Sequence, residues 1–310
     1  MVLPETIIYQ TFLSVVTLTG ICMNMFFAFC MLSDEQRSLK APLPVLLATA
    51  VFHNILLQVL LPIFTFKETW EVNSIIVISA LIIHFGASSM SSNVWLSIFY
   101  YTKIVSSQNR VFVWVKRNIN SVVYAGLIVD KIYLMLFTIS VVVPSFLATP
   151  ANVSSLANTT AGLEDRSVWN SIRNVFRRVH IGYLLTFIWL MMWVWSCTLV
   201  YICRHMRSME GSSSPFSNPK LLSQLRVVAQ GIVQTVLYAI SAGSQLIGLF
   251  SYFVVLDVQD RVFLYNASIA VYTLGTTINL GLSQHLFRQR AVKVMTTVTS
   301  GDGWKCKKRV

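Results

Sequence analysis

The stretch IIVISALIIHFGASSMSSNVWLSIFYYTKI, residues 75–104, decides the fold, because it is thirty residues long and carries one charged side chain, Lys103. Only a helix satisfies all of its own backbone hydrogen bonds in lipid, and about 20 apolar residues span the hydrocarbon core of a bilayer. The stretch is longer than one bilayer, so we expect a membrane helix at residues 80–104, with its first turns outside the membrane.

Six further apolar runs of similar length flank this stretch. They occupy residues 7–32, 43–66, 122–147, 181–203, 227–255 and 263–286. The chain is 55% hydrophobic and only 12% charged, whereas a soluble domain is about 25% charged. The sequence therefore excludes a soluble globule. It predicts an all-α membrane protein, with a seven-transmembrane helix bundle over residues 1–295 and a basic cytoplasmic tail at residues 296–310.

The distribution of Lys and Arg predicts the orientation, because positively charged loops stay in the cytoplasm. With the N-terminus placed outside, seventeen of the 24 Lys and Arg residues fall on the cytoplasmic side and six on the extracellular side. We therefore expect a multi-pass plasma-membrane protein with an extracellular N-terminus and a cytoplasmic C-terminus. Topology and contacts with membrane lipids account for the net charge of +12, so no nucleic-acid partner is needed.

Two glycosylation sequons agree with this orientation. Asn152-Val-Ser and Asn158-Thr-Thr lie in the longest predicted extracellular loop, residues 150–180, so we expect both asparagines to be glycosylated. A third sequon at Asn266 lies at the mouth of the seventh run, too close to the bilayer for the glycosylation machinery.

Two charged residues, Asp130 and Lys131, interrupt the fourth run. Either the helix begins near Ile132, or the pair lies just inside the membrane edge. We interpret the pair as interfacial charges at the cytoplasmic end of the helix, because charges in the hydrocarbon core are costly.

Seven helices with a glycosylated outer face are typical of a G-protein-coupled receptor, and a small-solute transporter is the rival class. The sequence shows no internal inverted repeat and few candidate ion carriers at mid-membrane, which disfavours a transporter. It also contains no Ser/His, paired-Asp or metal-ligand arrangement, so we expect neither an enzyme nor a cofactor or metal.

The third helix and the loop after it carry a family resemblance. The segment SNVWLSIFYYTKIVSSQNRVFVWVKRNI, residues 92–119, resembles the third helix and second inner loop of type 2 (bitter) taste receptors. The family pattern is Leu-x-x-Phe-Tyr-x-x-Lys-Ile-Ala, then a short polar stretch, then Phe-Leu-Trp-Leu-Lys. The matching residues are Leu96, Phe99, Tyr100, Lys103, Ile104, Phe112, Trp114, Val115 and Lys116.

Weaker similarities cover most of the chain, among them Gly20 with Asn24 in the first helix and Leu237-Tyr-Ala in the sixth. Three positions depart from the family pattern. Asn54 stands in place of an arginine, Ser91 in place of a tryptophan, and Thr276-Thr277 in place of His-Ser. The chain thus resembles a divergent member of the type 2 taste receptor family, such as a fish-type receptor. Vomeronasal type 1 pheromone receptors are the competing family.

The resemblance implies a chemosensory receptor that binds small bitter compounds in the outer half of the bundle and activates a heterotrimeric G protein of the gustducin-like, inhibitory class. Helical spacing groups the candidate ligand residues into one face on each of three helices. These residues are Ser88, Ser91, Ser92 and Trp95 on the third helix, Tyr238, Ser241 and Gln245 on the sixth, and Ser268 and Tyr272 on the seventh.

Small serines and Trp95 at this spacing also suit helix packing alone, and the resemblance favours ligand contact. We expect the indole of Trp95 to point toward the bundle axis. Because no carboxylate is expected in the pocket, we expect a neutral or weakly cationic ligand rather than a biogenic amine.

Basic residues at the inner ends of the third, fifth and sixth helices are the candidates for G-protein coupling. Taken singly, each also suits a topology signal or a contact with anionic lipid. The set is Lys103, Arg110, Lys116, Arg117, Arg204, His205 and Arg226.

Overall fold

The chain forms eight helices within the residues that the computed structural model describes, which are 4–32, 41–65, 71–106, 109–147, 160–209, 219–250, 258–283 and 292. In chain order the helices are α1 (Pro4–Leu32), α2 (Leu43–Thr65), α3 (Val72–Ile104), α4 (Arg110–Arg117), α5 (Ile119–Leu147), α6 (Thr160–Met209), α7 (Pro219–Leu249) and α8 (Val258–Ser283).

Six of these helices, α1, α2, α3, α5, α6 and α7, are long and apolar enough to cross a membrane. Their outward faces expose large apolar side chains, such as Leu18 at 64% and Trp189 at 61% of full exposure. A soluble protein would bury such surfaces, whereas lipid solvates them. The prediction of an all-α membrane protein is confirmed.

The last helix, α8, is 26 residues long but is not among these six. Its polar side chains, including Asn266, Thr273 and Thr277, are buried in a helix that packs against α1, α2 and α7. Polar groups turned toward neighbouring helices are typical of helix packing in membranes, and they lower the mean hydropathy of α8 without placing it outside the bundle.

The long helices form a closed ring in which each packs against its neighbours, in the order α1, α2, α3, α5, α6, α7, α8 and back to α1. The third helix also packs against α6 and therefore touches α2, α5 and α6. Fifteen of its residues are buried, and seven of these carry polar side chains. Polar side chains on α3 consequently meet partners on several helices.

The fifth predicted span is the main difference from the expected boundaries. Residues 160–180, expected in the extracellular loop, belong to the 50-residue helix α6. The sequence of α6 contains no proline, so nothing ends the helix where the apolar run ends. The helix α7 likewise begins at Pro219, eight residues before the predicted start, and proline suits the first turn of a helix.

The short helix α4 lies between α3 and α5 and was not predicted. Its N-cap is Asn109, whose side chain accepts a hydrogen bond from the backbone N–H of Val111 at 3.0 Å. Three apolar side chains, those of Val111, Val113 and Trp114, are exposed. An amphipathic helix of this kind suits the plane of the membrane interface.

Candidate functional site

A cavity of about 470 Å³ opens at the end of the bundle where α3 and α8 begin and α5 and α7 end. We call it the outer cavity, because this is the extracellular end in the predicted orientation. It is lined by Ile83, Phe137, Val141, His180, Ser244, Gln245, Gly248, Leu249, Arg261, Val262 and Tyr265. Its volume and its mostly apolar walls with a few polar groups are typical of small-molecule sites.

One wall of the outer cavity is an aromatic stack. The imidazole of His180 on α6 lies parallel to the ring of Phe137 on α5, with centroids 4.0 Å apart. The Tyr133 hydroxyl lies 3.3 Å from Nδ1 of the same histidine. His180 is 1% exposed, so the stack joins α5 to α6 as part of the packed core and presents a rigid surface to the cavity.

The floor of the outer cavity is formed by polar side chains of α7 and α8. The Ser244 and Ser268 hydroxyl oxygens lie 2.5 Å apart. The Gln245 side chain donates through Nε2 to Sδ of Met90 on α3 at 3.2 Å. These polar groups are therefore already bonded within the protein.

The other three candidate ligand residues of α7 and α8 lie together below this floor. Tyr238, Ser241 and Tyr272 are at most 1% exposed, and the Ser241 hydroxyl donates to Met90 Sδ at 3.7 Å. Tyr272 accepts a hydrogen bond from Asn93 Nδ2 at 2.8 Å. Of the predicted ligand residues, only Gln245 lines the outer cavity, and Ser268 is one hydrogen bond away from it.

The candidate ligand residues of α3 face α5. The Ser91 hydroxyl donates to Oδ2 of Asp130 at 2.6 Å, and Trp95 Nε1 donates to the same oxygen at 2.5 Å. The ammonium group of Lys131 donates to the Ser88 carbonyl oxygen at 3.2 Å. The predicted orientation of Trp95 toward the bundle axis is wrong, since its ring lies against Gly126 of α5, where a β-carbon would overlap it.

The fourth member of this predicted face, Ser92, is fully buried. Its hydroxyl donates to the Ser88 carbonyl oxygen one turn earlier at 2.8 Å. It therefore lies against its own helix and does not line the outer cavity.

The interpretation of Asp130 and Lys131 as interfacial charges is also wrong. Both lie in the middle of α5, which is 29 residues long, and Asp130 is 8% exposed. The hydrogen bonds from Ser91 and Trp95 satisfy its carboxylate, which lowers the cost of burying the charge. The carboxylate is not part of the outer-cavity lining.

Ten of the eleven lining residues of the outer cavity were missed as ligand residues, among them Phe137, His180, Arg261 and Tyr265. The spacing of the last two does carry a signal, because Arg261, Tyr265, Ser268 and Tyr272 follow one another at three- or four-residue steps on one face of α8. Phe137 on α5 and His180 on α6 show no such spacing signal.

The seven candidate coupling residues are all exposed and lie at or near the ends of α3, α4, α6 and α7 opposite the outer cavity. A buried cluster that includes Trp195, Ile202 and Val228 packs the inner ends of α3, α6 and α7 together. Lys116 Nζ donates to the carbonyl oxygen of Val105 at 3.2 Å, which fixes α4 against the end of α3.

The predicted glycosylation sites, Asn152 and Asn158, and the basic tail at residues 296–310 lie outside the described residues. Asn266 is buried in α8, a position that does not suit a glycan.

A multi-pass helical bundle with a small-molecule cavity at one end and exposed basic residues at the other has the organisation of a membrane receptor. The family model described as "Taste receptor protein (TAS2R)" matches residues 1–299 of the chain. The chain therefore belongs to the taste receptor family, which confirms the resemblance found in residues 92–119. A search of curated proteins found no match.

Membership makes the chain a multi-pass chemosensory G-protein-coupled receptor of the bitter taste type. The partners of such a receptor are a G protein and small-molecule ligands. The family is one of receptors and not of enzymes, and nothing in the match supports the vomeronasal or transporter alternatives.

Proposed function

We propose that this receptor binds small organic compounds in the outer cavity and activates a gustducin-like G protein through its basic inner face. The observation that carries the proposal is the outer cavity itself, with a volume of about 470 Å³. Its walls come from α3, α5, α6, α7 and α8, so one bound molecule contacts five helices. A ligand that fits one arrangement of these helices better than another shifts the population of receptor conformations.

Gln245 connects the outer cavity to the core below it. The residue lines the cavity, and its amide bonds to Met90, which packs in one buried cluster with Tyr238 and Tyr272. Movement of α7 caused by a ligand would change this contact and hence the packing of α7 and α8 against α3. This supports a route from the ligand to the sixth membrane helix.

We also propose seven membrane spans with the N-terminus outside. The helix α8 has 26 residues, about 39 Å at about 1.5 Å per residue, which is enough to cross a bilayer. An odd number of spans puts the termini on opposite sides, and the excess of Lys and Arg on the inner side favours an extracellular N-terminus.

The coupling proposal rests on the inner ends of α3, α6 and α7, which pack together around Trp195 and Ile202. If α7 moves away from α3 and α6, a cleft opens that is surrounded by exposed basic residues, among them Arg204 and Arg226. The C-terminal helix of a G-protein α-subunit would bind in this cleft. The family resemblance implies the gustducin-like class.

A dose–response experiment tests the ligand site. Cells that express the receptor with a chimeric gustducin-type α-subunit are exposed to diverse bitter compounds, and calcium release and surface labelling are measured. We expect Phe137→Ala to lower potency about tenfold or more, because the change removes an aromatic wall worth about 1 to 3 kcal/mol. The control is Phe29→Ala, since Phe29 is 58% exposed on the lipid face of α1.

Folding is monitored separately, because Phe137 also packs against His180. Phe137→Leu keeps most of the apolar volume and should reach the surface normally. Wild-type potency of both Phe137 variants for every active compound would place the ligand elsewhere. Substrate uptake that is independent of the G protein would refute the receptor function.

A further inference from the structure

Arg261 is the charged residue in the described lining of the outer cavity. It lies in the first turn of α8 and is half-buried. Its neighbour Asp260 is exposed and does not line the cavity. The described lining therefore carries a positive charge and no carboxylate.

The other polar groups of the lining are engaged within the protein, except the Tyr265 hydroxyl, which is buried and has no hydrogen-bond partner among the described residues. Ser244 bonds to Ser268, Gln245 bonds to Met90, and His180 stacks on Phe137. No hydrogen bond or ion pair joins Arg261 to another residue in the part of the chain that the structure describes. The guanidinium group, with five N–H donors, and the Tyr265 hydroxyl are thus left to meet a ligand, and of the two only the guanidinium group is charged.

The remaining walls suit the other end of such a ligand. Ile83, Val141, Leu249 and Val262 provide apolar surface, and Phe137 adds an aromatic face. A guanidinium group beside apolar walls is weakly screened by water, so an anion there interacts more strongly than at an open surface. Arginine also binds carboxylates through two parallel hydrogen bonds, which fixes the orientation of the bound group.

We infer that the outer cavity selects organic acids, that is, compounds with an aromatic or alicyclic body and a carboxylate or sulfonate that pairs with Arg261. This inference rests on the proposed function of the cavity. It differs from the expectation of a neutral or weakly cationic ligand, because Arg261 lines the cavity. A cation would meet the guanidinium group with like charge and gain no partner.

Paired ligands test the inference. A panel of aryl and alicyclic carboxylic acids, each beside its own primary amide (for example naphthylacetic acid and naphthylacetamide), is applied to the receptor together with quaternary ammonium compounds of similar size. Calcium release is recorded as a dose–response curve. In the wild type we expect the potency of each acid to exceed that of its amide by about tenfold or more, as is typical of a charge-assisted hydrogen-bonded pair.

Variants assign the preference to one residue. Arg261→Gln should abolish the advantage of each acid over its amide, and Arg261→Lys should retain part of it. The matched control is Arg177→Gln on α6, because Arg177 bonds to Asn174 of its own helix and does not line the cavity. If Arg261 only anchored α8 at lipid headgroups, its substitution would shift the potencies of an acid and of its amide equally.

Several results would overturn the inference. These are amides as potent as their acids, an advantage of the acids that survives in Arg261→Gln, or a response to cations alone. Each of these leaves the proposed function standing if Phe137→Ala still weakens the active compounds. If active compounds are insensitive to Phe137→Ala and Phe137→Leu, or no compound acts at all, both the proposed function and the inference fail.

Discussion

The hydrogen bonds at Asp130 should hold α3 against α5, and a double-mutant cycle measures the one with Ser91. The variants are Ser91→Ala, Asp130→Leu and the two combined. Leucine branches at the γ-carbon as aspartate does and is larger, but it accepts no hydrogen bond. The Ser91 hydroxyl is fully buried, and its bond to Asp130 is 2.6 Å long, so bulk water does not replace the acceptor when it is removed.

The magnitude follows from interhelical hydrogen bonds in membranes, which average about 0.6 kcal/mol and reach about 1.7 kcal/mol. The acceptor is a carboxylate, so we expect a coupling energy between Ser91 and Asp130 in the upper half of that range, about 1 to 1.7 kcal/mol. The same carboxylate accepts a second bond from Trp95. Asp130→Leu alone should therefore destabilise the receptor by about 2 to 3.5 kcal/mol.

The free energies are measured by reversible unfolding of purified receptor in mixed micelles with increasing dodecylsulfate, followed by helical circular dichroism. A control cycle combines Asp130→Leu with Ser97→Ala. The Ser97 hydroxyl bonds to Asn93 of its own helix, so the effects of these two substitutions on the free energy of unfolding should be additive. Additivity of Ser91→Ala with Asp130→Leu to within about 0.5 kcal/mol would refute the bond between the two helices.

Two further outcomes test the packing and the topology. Gly126→Ala should destabilise the receptor by about 1 to 3 kcal/mol and reduce surface expression without changing potency, because the added β-carbon would overlap the Trp95 ring. The control is Gly182→Ala, whose β-carbon would meet open space. This variant should be neutral or slightly more stable in the same unfolding assay. Asn152→Gln combined with Asn158→Gln should remove the glycosidase-sensitive mass shift on a gel, and a shift that persists would contradict the predicted outer loop.

Hydropathy and charge were sufficient for the membrane class, because each span must be apolar for most of its length whatever its neighbours are. They were less informative at helix ends. The helix α6 continues to Thr160 because its outer part lacks proline and is not constrained by the hydrocarbon core. The polar residues of α8 gave this helix a weaker apolar signal, although they are buried against other helices.

Helical spacing grouped residues correctly by face but did not identify the helix that each face meets. Ser88, Ser91 and Trp95 do lie on one side of α3, and that side is covered by Asp130 and Lys131 of α5. The pairing depends on how α3 and α5 are rotated and shifted relative to each other, which no local pattern in either helix encodes. The same limitation hid His180 and Phe137, whose stack forms only when α5 and α6 pack.

Two of the departures from the taste receptor pattern form hydrogen bonds between helices. Asn54, which stands where the family has an arginine, accepts a hydrogen bond from Ser89 at 2.6 Å. Thr277, in place of a family serine, accepts a bond from Asn24 at 2.8 Å. Neutral amides and hydroxyls thus form hydrogen bonds where these helices meet, beside a buried apolar cluster of α1, α2, α3 and α8 that includes Leu13, Leu57, Ile82 and Ile269.

The third departure, Ser91, lies on the opposite side of α3 and bonds to the charged Asp130. Residues two apart on a helix point about 200° away from each other, so Ser89 and Ser91 bond to α2 and α5 on opposite sides. A helix held by polar bonds on both sides resists rotation. The face between them carries Met90, which meets α7 through the thioether contacts of Ser241 and Gln245. Thioether sulfur is a weak acceptor, so these contacts cost little to break. We therefore expect a ligand that binds in the proposed outer-cavity site to move α7 against α3 more readily than it moves α3 itself.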